Sequence, residues 1–147
     1  MKKHRYLYVA VIFALIAASG CAAPTIMPTS SLYDRLGGKP AITAVVNDFI
    51  DLVGRDARII HAPAPARVPV VKTLLADMVC QASGGPCTYG GRDMKSAHAG
   101  LGITNAEFDA VVDDLVKTLD KYKVGEKEKN ELLSLLAPMK SDIVEVK

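Results

Sequence analysis

The residues best placed to do chemistry lie between Cys80 and Ile103, where CQASGGPCTYGGRDMKSAHAGLGI gathers two cysteines, two double-glycine breaks and a histidine. Met94, Ala97, His98 and Leu101 recur at the spacing that puts side chains on one face of a short helix, which would turn the His98 imidazole toward the core. An imidazole in that frame can be a metal ligand or a hydrogen-bonded structural residue, and spacing leaves both open. Other chemistries find little support. No second Cys or His pair stands at zinc spacing, and no serine triad or paired-carboxylate pattern appears. Gly84-Gly85, Gly90-Gly91 and Gly100 do not follow a strand, as a phosphate-cradling loop requires.

Helices must position this stretch. Ser31 can cap a first short helix, with Asp34 three residues on, and Gly37-Gly38 stops it. Lys39-Pro40 opens a second helix whose Ile42, Val45, Val46, Phe49, Ile50 and Val53 keep one face apolar. Pro63, Pro65 and Pro69 then forbid a regular helix, so residues 55–69 are expected as loop with at most one turn around Arg58 to Ile60. His61 in that loop reads as solvent-exposed. From Val70 the period resumes through Val71, Leu74, Leu75, Met78 and Ala82 until Gly84-Gly85-Pro86 ends it. Thr104 and Glu107 form a capping box for a helix striped by Phe108, Val111, Val112, Leu115, Leu119 and Tyr122. A last helix from about Glu126 presents Leu132, Leu133, Leu135, Leu136 and Met139, and Pro138 bends or ends it. The charge run from Lys121 to Lys129 reads as a solvated helix junction.

The chain opens with Lys2, Lys3 and Arg5, an apolar run to Ala18, then Ser19-Gly20-Cys21. This is the pattern of a bacterial secretory signal over residues 1–20 ending in a lipobox, with Ala18 where leucine is more usual. The apolar run is short of the roughly 20 residues a spanning helix needs. Cys21 would then carry lipid and anchor the protein to the membrane, residues 21–30 would form a tether, and residues 31–147 the domain at the cell envelope. The other open reading is an uncleaved N-terminal anchor. The chain has 18 basic and 16 acidic residues, and residues 1–20 hold three basic and no acidic ones, so the remainder carries 15 against 16. Nothing in that balance suggests a nucleic-acid surface. With Cys21 committed to lipid, an exported chain is expected to bond Cys80 to Cys87.

Three features, taken together, carry a resemblance: Gly37-Gly38 after SLYDRL, Gly84-Gly85-Pro86 after an apolar helix, and YGGRDMKSAHAGLGIT. The chain resembles a group I truncated haemoglobin from roughly Ser31 to Val144. The resemblance implies an all-α truncated globin, a two-over-two helical sandwich around haem b. In that family the histidine of MKxAHxGLxI is the proximal iron ligand, and His98 matches it. Phe108 and Val111 would then lie beneath His98, with Met94 and Ile103 beside it. The absence of C-x-x-C-H argues against covalent haem attachment.

Family members usually place a tyrosine on the second helix and a glutamine or other polar group on the helix after the loop. Ungapped alignment puts Ile50, Val71 and Leu75 at those positions, and Ala62 and Pro63 replace the loop phenylalanines. A donor to bound gas should contribute about 1.5 to 3 kcal/mol, so its absence favours fast oxygen release. His61 would supply a donor, or a sixth ligand, if its loop folded inward. The resemblance implies a haem globin that reversibly binds oxygen, nitric oxide or carbon monoxide. The alternatives are a nitric oxide dioxygenase and a haem-free globin-fold interaction module. The intact His98 segment argues against the module and the missing distal donors against efficient oxygen chemistry. No motif specifies a redox partner.

Overall fold

Helix formation begins where the sequence supplies its own cap. In the computed structural model, which describes residues 30–146, the Ser31 hydroxyl accepts from the Asp34 N–H and the Asp34 carboxylate reaches back, closing a capping box over α1 (Leu32–Arg35). The signal segment 1–20, Cys21, the tether as far as residue 29, and Lys147 lie outside the described residues.

The chain continues as α2 (Gly38–Val53), α3 (Val68–Ala82), α4 (Met94–His98), α5 (Asn105–Lys121), α6 (Glu126–Leu136) and α7 (Lys140–Ile143). Short 3-10 turns cover Pro65–Arg67 and Ala137–Met139. The α2 stripe is buried as its periodicity requires: Ile42, Val46, Phe49, Ile50 and Val53, with Val45 half-buried beside them. α2 packs on both α3 and α5, and α6 adds Leu132 to the same core. α2 and α3 thus form one layer and α5 and α6 the other, the two-over-two arrangement of an all-α globin. Among the described residues the only extended pairing is an isolated parallel bridge between Thr104 and Val146.

Tertiary contacts redraw several expectations. α3 begins at Val68, with Pro69 inside its first turn, because proline needs no amide partner there. Its buried face is Ala76, Val79 and Cys80, where small side chains let it approach α2, while Leu74, Leu75 and Met78 are half-buried and Ala82 is exposed. The turn at Arg58 to Ile60 is not helical, and the loop's one helical turn sits at Pro65–Arg67. On α5 the buried positions are Glu107, Ala110, Asp114, Thr118 and Leu119, so a partly polar face replaces most of the expected apolar stripe, and Tyr122 is exposed.

Cys80, fully buried in the last turn of α3, is bonded to Cys87. Gly85 fills the space between this bridge and α1. A Cβ at Gly85 would stand 2.4 Å from the Tyr33 ring and 2.7 Å from Cys80 Sγ, so no larger residue fits without a shift. The Tyr33 amide donates to the Ser83 carbonyl, and its hydroxyl accepts from the Lys39 amide. The α1–α2 corner and the end of α3 are therefore one interlocked unit. Replacing both Cys80 and Cys87 by alanine should lower the unfolding free energy in urea by about 2 kcal/mol, the low side of the range because the closed loop is short. Mass spectrometry of non-reduced peptides should find the two joined in the parent.

Candidate functional site

His98 ends α4, a helix of only five residues. Its start is fixed by Asp93, whose carboxylate accepts from the Ser96 amide at 2.8 Å. That bond holds the Asp93 carboxyl below its ordinary range. The His98 Nδ1 lies 2.8 Å from the Met94 carbonyl oxygen. A carbonyl only accepts, so Nδ1 donates this bond and Nε2 is the ring nitrogen left uncommitted. Met94, Ala97 and His98 are half-buried, and no residue of α4 is fully buried. Leu101 does not share their face: the helix stops at His98, and Leu101 is 41% exposed in the loop beyond. The imidazole therefore sits at the edge of the core rather than inside it.

The other residues singled out from the sequence divide between the layers. Ile103 is buried just before α5, and Phe108 and Val111 are half-buried on it. Lys140 Nζ stands 5.2 Å from the centroid of the Phe108 ring while bonding Asp109, so one face of that ring meets a cation. On the opposite layer Ile50 is buried on α2, and Val71 and Leu75 are half-buried on α3. Leu75 and Phe49 line a cavity of about 50 Å³ between the layers, closed also by Val46, Val79, Leu115 and Leu132. Ile50, Val71 and Leu75 carry no hydrogen-bonding side-chain group.

Sequence reasoning found Glu107 as a helix cap and missed its larger role. One carboxylate oxygen accepts from the Thr104 amide and hydroxyl, both at 3.2 Å. The other accepts from the Ile60 amide at 3.1 Å, the His61 amide at 3.3 Å and the His61 ring Nδ1 at 2.8 Å. Burial alone would raise the Glu107 carboxyl, but these donors and the neighbouring imidazole together bring it to about 2. His61 is thus half-buried and tied to α5 rather than loose in solvent. Nearby, Arg58 binds Asp56 at 2.6 Å and Asp113 at 3.0 Å, and its guanidinium hydrogen bonds hold the Asp56 carboxyl at about 2. Arg58 also stands 3.7 Å from the fully buried Asp114, whose Oδ1 accepts from Lys117 at 3.0 Å. The hint in the sequence was an acidic residue at a core-facing helix position opposite a loop with Arg58 and His61.

The fold has counterparts among known proteins. The bacterial-like globin family model matches residues 31–145. The group 1 truncated haemoglobin GlbN of Nostoc commune is 33% identical over 117 residues, covering 78% of this chain and 98% of that protein. The chain belongs to the group 1 truncated haemoglobins. Among solved structures, the truncated haemoglobin of Tetrahymena pyriformis in its Fe(III) form superposes with a TM-score of 0.73 at 29% identity, covering 78% of this chain and 98% of that one. The 2/2 haemoglobin of Synechococcus, solved in the cyanomet state with covalently attached haem, gives a TM-score of 0.72 at 28% identity and covers 78% of this chain and 98% of that one.

In this truncated haemoglobin the loop between α2 and α3 depends on an ionised Glu107. Its carboxyl is depressed from an ordinary 4.5 to about 2, so the stability it contributes is present above about pH 4.5 and is lost as pH falls toward 2. Glu107→Gln should lower stability at pH 7 and flatten the acid limb of a pH-stability curve measured by urea unfolding. An unchanged acid limb would show that other carboxylates set it.

Proposed function

We propose that this truncated haemoglobin holds haem b on His98 and binds a diatomic gas reversibly beside an apolar distal wall of Ile50, Val71 and Leu75. One observation carries the reading: the His98 Nδ1–H is committed to the Met94 carbonyl at 2.8 Å, which orients the ring and leaves Nε2 as the nitrogen available to hold a metal. Metal-ligating histidines are oriented in this way. The candidates named with it from the sequence also suit a flat apolar group, since Met94, Ile103, Phe108 and Val111 bring only carbon, sulfur and ring surface from their side chains. Haem, when bound, would be held by His98 and would supply the iron chemistry that takes up a diatomic gas.

The chain's own residues then set what happens to that gas. Ile50, Val71 and Leu75 exclude water and donate no hydrogen bond, so oxygen, which polarises on binding, is stabilised little. Carbon monoxide needs such a donor far less. The apolar cavity between Phe49 and Leu75 suits a small uncharged gas. His61 is supported as a structural residue, because Glu107 takes its Nδ1. Reversible binding is favoured over turnover of nitric oxide with oxygen, since the three distal positions lack a polar group to hold oxygen.

The proposal extends to location. A basic, then apolar, then small-residue segment before Cys21 supports export and lipid anchoring at the cell envelope, as does the Cys80–Cys87 disulfide, a bond favoured in oxidising compartments.

His98→Ala should abolish haem retention, read as loss of the Soret band and of the reduced, carbon monoxide-bound spectrum. By stopped flow, the parent should release oxygen fast and Ile50→Tyr should slow release roughly tenfold or more, as one added donor predicts. A parent that releases oxygen slowly, and is not slowed further by the new hydroxyl, would show that the distal side is polar.

A further inference from the structure

The loop that follows His98 has almost no packing of its own. Ala99, Gly100 and Leu101 are exposed, and Ile103 is its only buried side chain before α5. Gly100 and Gly102 both adopt left-handed backbone angles, φ +78° and +70°, which a larger residue would take only with strain. Their amides converge on one carboxylate from the far end of the chain. Glu145 Oε1 accepts from the Gly100 N–H at 2.7 Å, and Oε2 accepts from the Gly102 N–H at 2.6 Å. The backbone completes the grip, with the Glu145 and Val146 amides donating to the Ile103 carbonyl at 2.9 and 3.2 Å. Thr104 and Val146 pair as a parallel bridge, and α7, immediately before this segment, packs against α4 itself.

We propose that Glu145 is a positioning residue for His98: by gripping both glycine amides it fixes the loop behind the proximal imidazole, and so the attitude of the imidazole toward haem iron. The inference rests on the reading of His98 as the haem ligand. The chemistry is that of an anion held in a nest of backbone N–H groups, used here intramolecularly. The Gly100 and Gly102 amides hold the Glu145 carboxyl below its ordinary range, so it is ionised at neutral pH. No other side chain among the described residues bonds these two amides. Four hydrogen bonds from Glu145 and Val146 therefore do for this loop what apolar packing does for the long helices.

The test compares the parent with Glu145→Ala and Glu145→Gln in three measurements. Amide hydrogen exchange at Gly100 and Gly102 is followed in the haem-free protein. The iron–histidine stretching band of the ferrous, gas-free protein is read by resonance Raman, and haem loss by transfer to apomyoglobin. In Glu145→Ala both amides should lose protection, the iron–histidine band should shift or broaden, and haem should leave about tenfold faster. Glu145→Gln, which keeps one acceptor oxygen, should fall between the two. If the parent binds haem but Glu145→Ala keeps its band position, its width and its rate of haem loss, the inference is overturned even where thermal stability has dropped. A parent that binds no haem would overturn the proposed function and this inference together.

Discussion

A helix of five residues cannot hold an imidazole in place by its own hydrogen bonds, because nucleating a helix fixes several residues for each bond formed and isolated helices this short do not persist. α4 is that helix, and none of its residues is fully buried. Its position therefore depends on what is fastened to either end. Before it, the Cys80–Cys87 bridge ties the chain to the end of α3, and Asp93 caps the first turn. After it, the Glu145 carboxylate and the Thr104–Val146 bridge tie the loop to the chain's last described residues. Each fastening comes from a different part of the sequence, so the site forms only when the whole domain has closed.

A buried acid at the start of α5 does comparable work for the loop between α2 and α3. Most of the ion pairs here, such as Lys121 with Asp48, lie near water and contribute little, since solvent screens them and side-chain entropy opposes them. Glu107 is different because all but a small part of it is buried and its oxygens are filled by five donor groups. Removing that carboxylate would take the shared partner from two loop amides, two cap donors and the His61 ring. Asp114, fully buried, accepts from Lys117 on its own helix and stands 3.7 Å from the Arg58 guanidinium, while its Oδ2 has no hydrogen-bond partner among the described residues. A proline-rich loop that has few apolar side chains to bury is thereby held by polar bonds.

The proposed distal side follows the opposite logic. Ile50, Val71 and Leu75 belong to the apolar faces that hold α2 and α3 to the rest of the domain, so any donor placed there would have to be fully satisfied or be destabilising. An apolar wall suits stability and rapid gas exchange together.

Much of this was legible in the sequence. The two capping boxes, the apolar period of α2, the glycine breaks and the His98 segment are local signals, each confined to a few neighbouring residues, and the long helices they mark begin within about two residues of where periodicity puts them, while α4 stops at His98, short of the expected Leu101. The pairing of Cys80 with Cys87 followed from counting cysteines on the expectation that the chain is exported. What tertiary structure decided is whatever depends on partners far apart: which face of α3 meets α2, that Glu107 turns its second oxygen to His61, that Asp114 is buried beside Arg58, and that Glu145 reaches back across more than forty positions to Gly100 and Gly102. Hydrophobic periodicity reports the side of a helix that avoids water, but a buried carboxylate follows no period. Its place is set by donors that only the closed fold brings within hydrogen-bond reach.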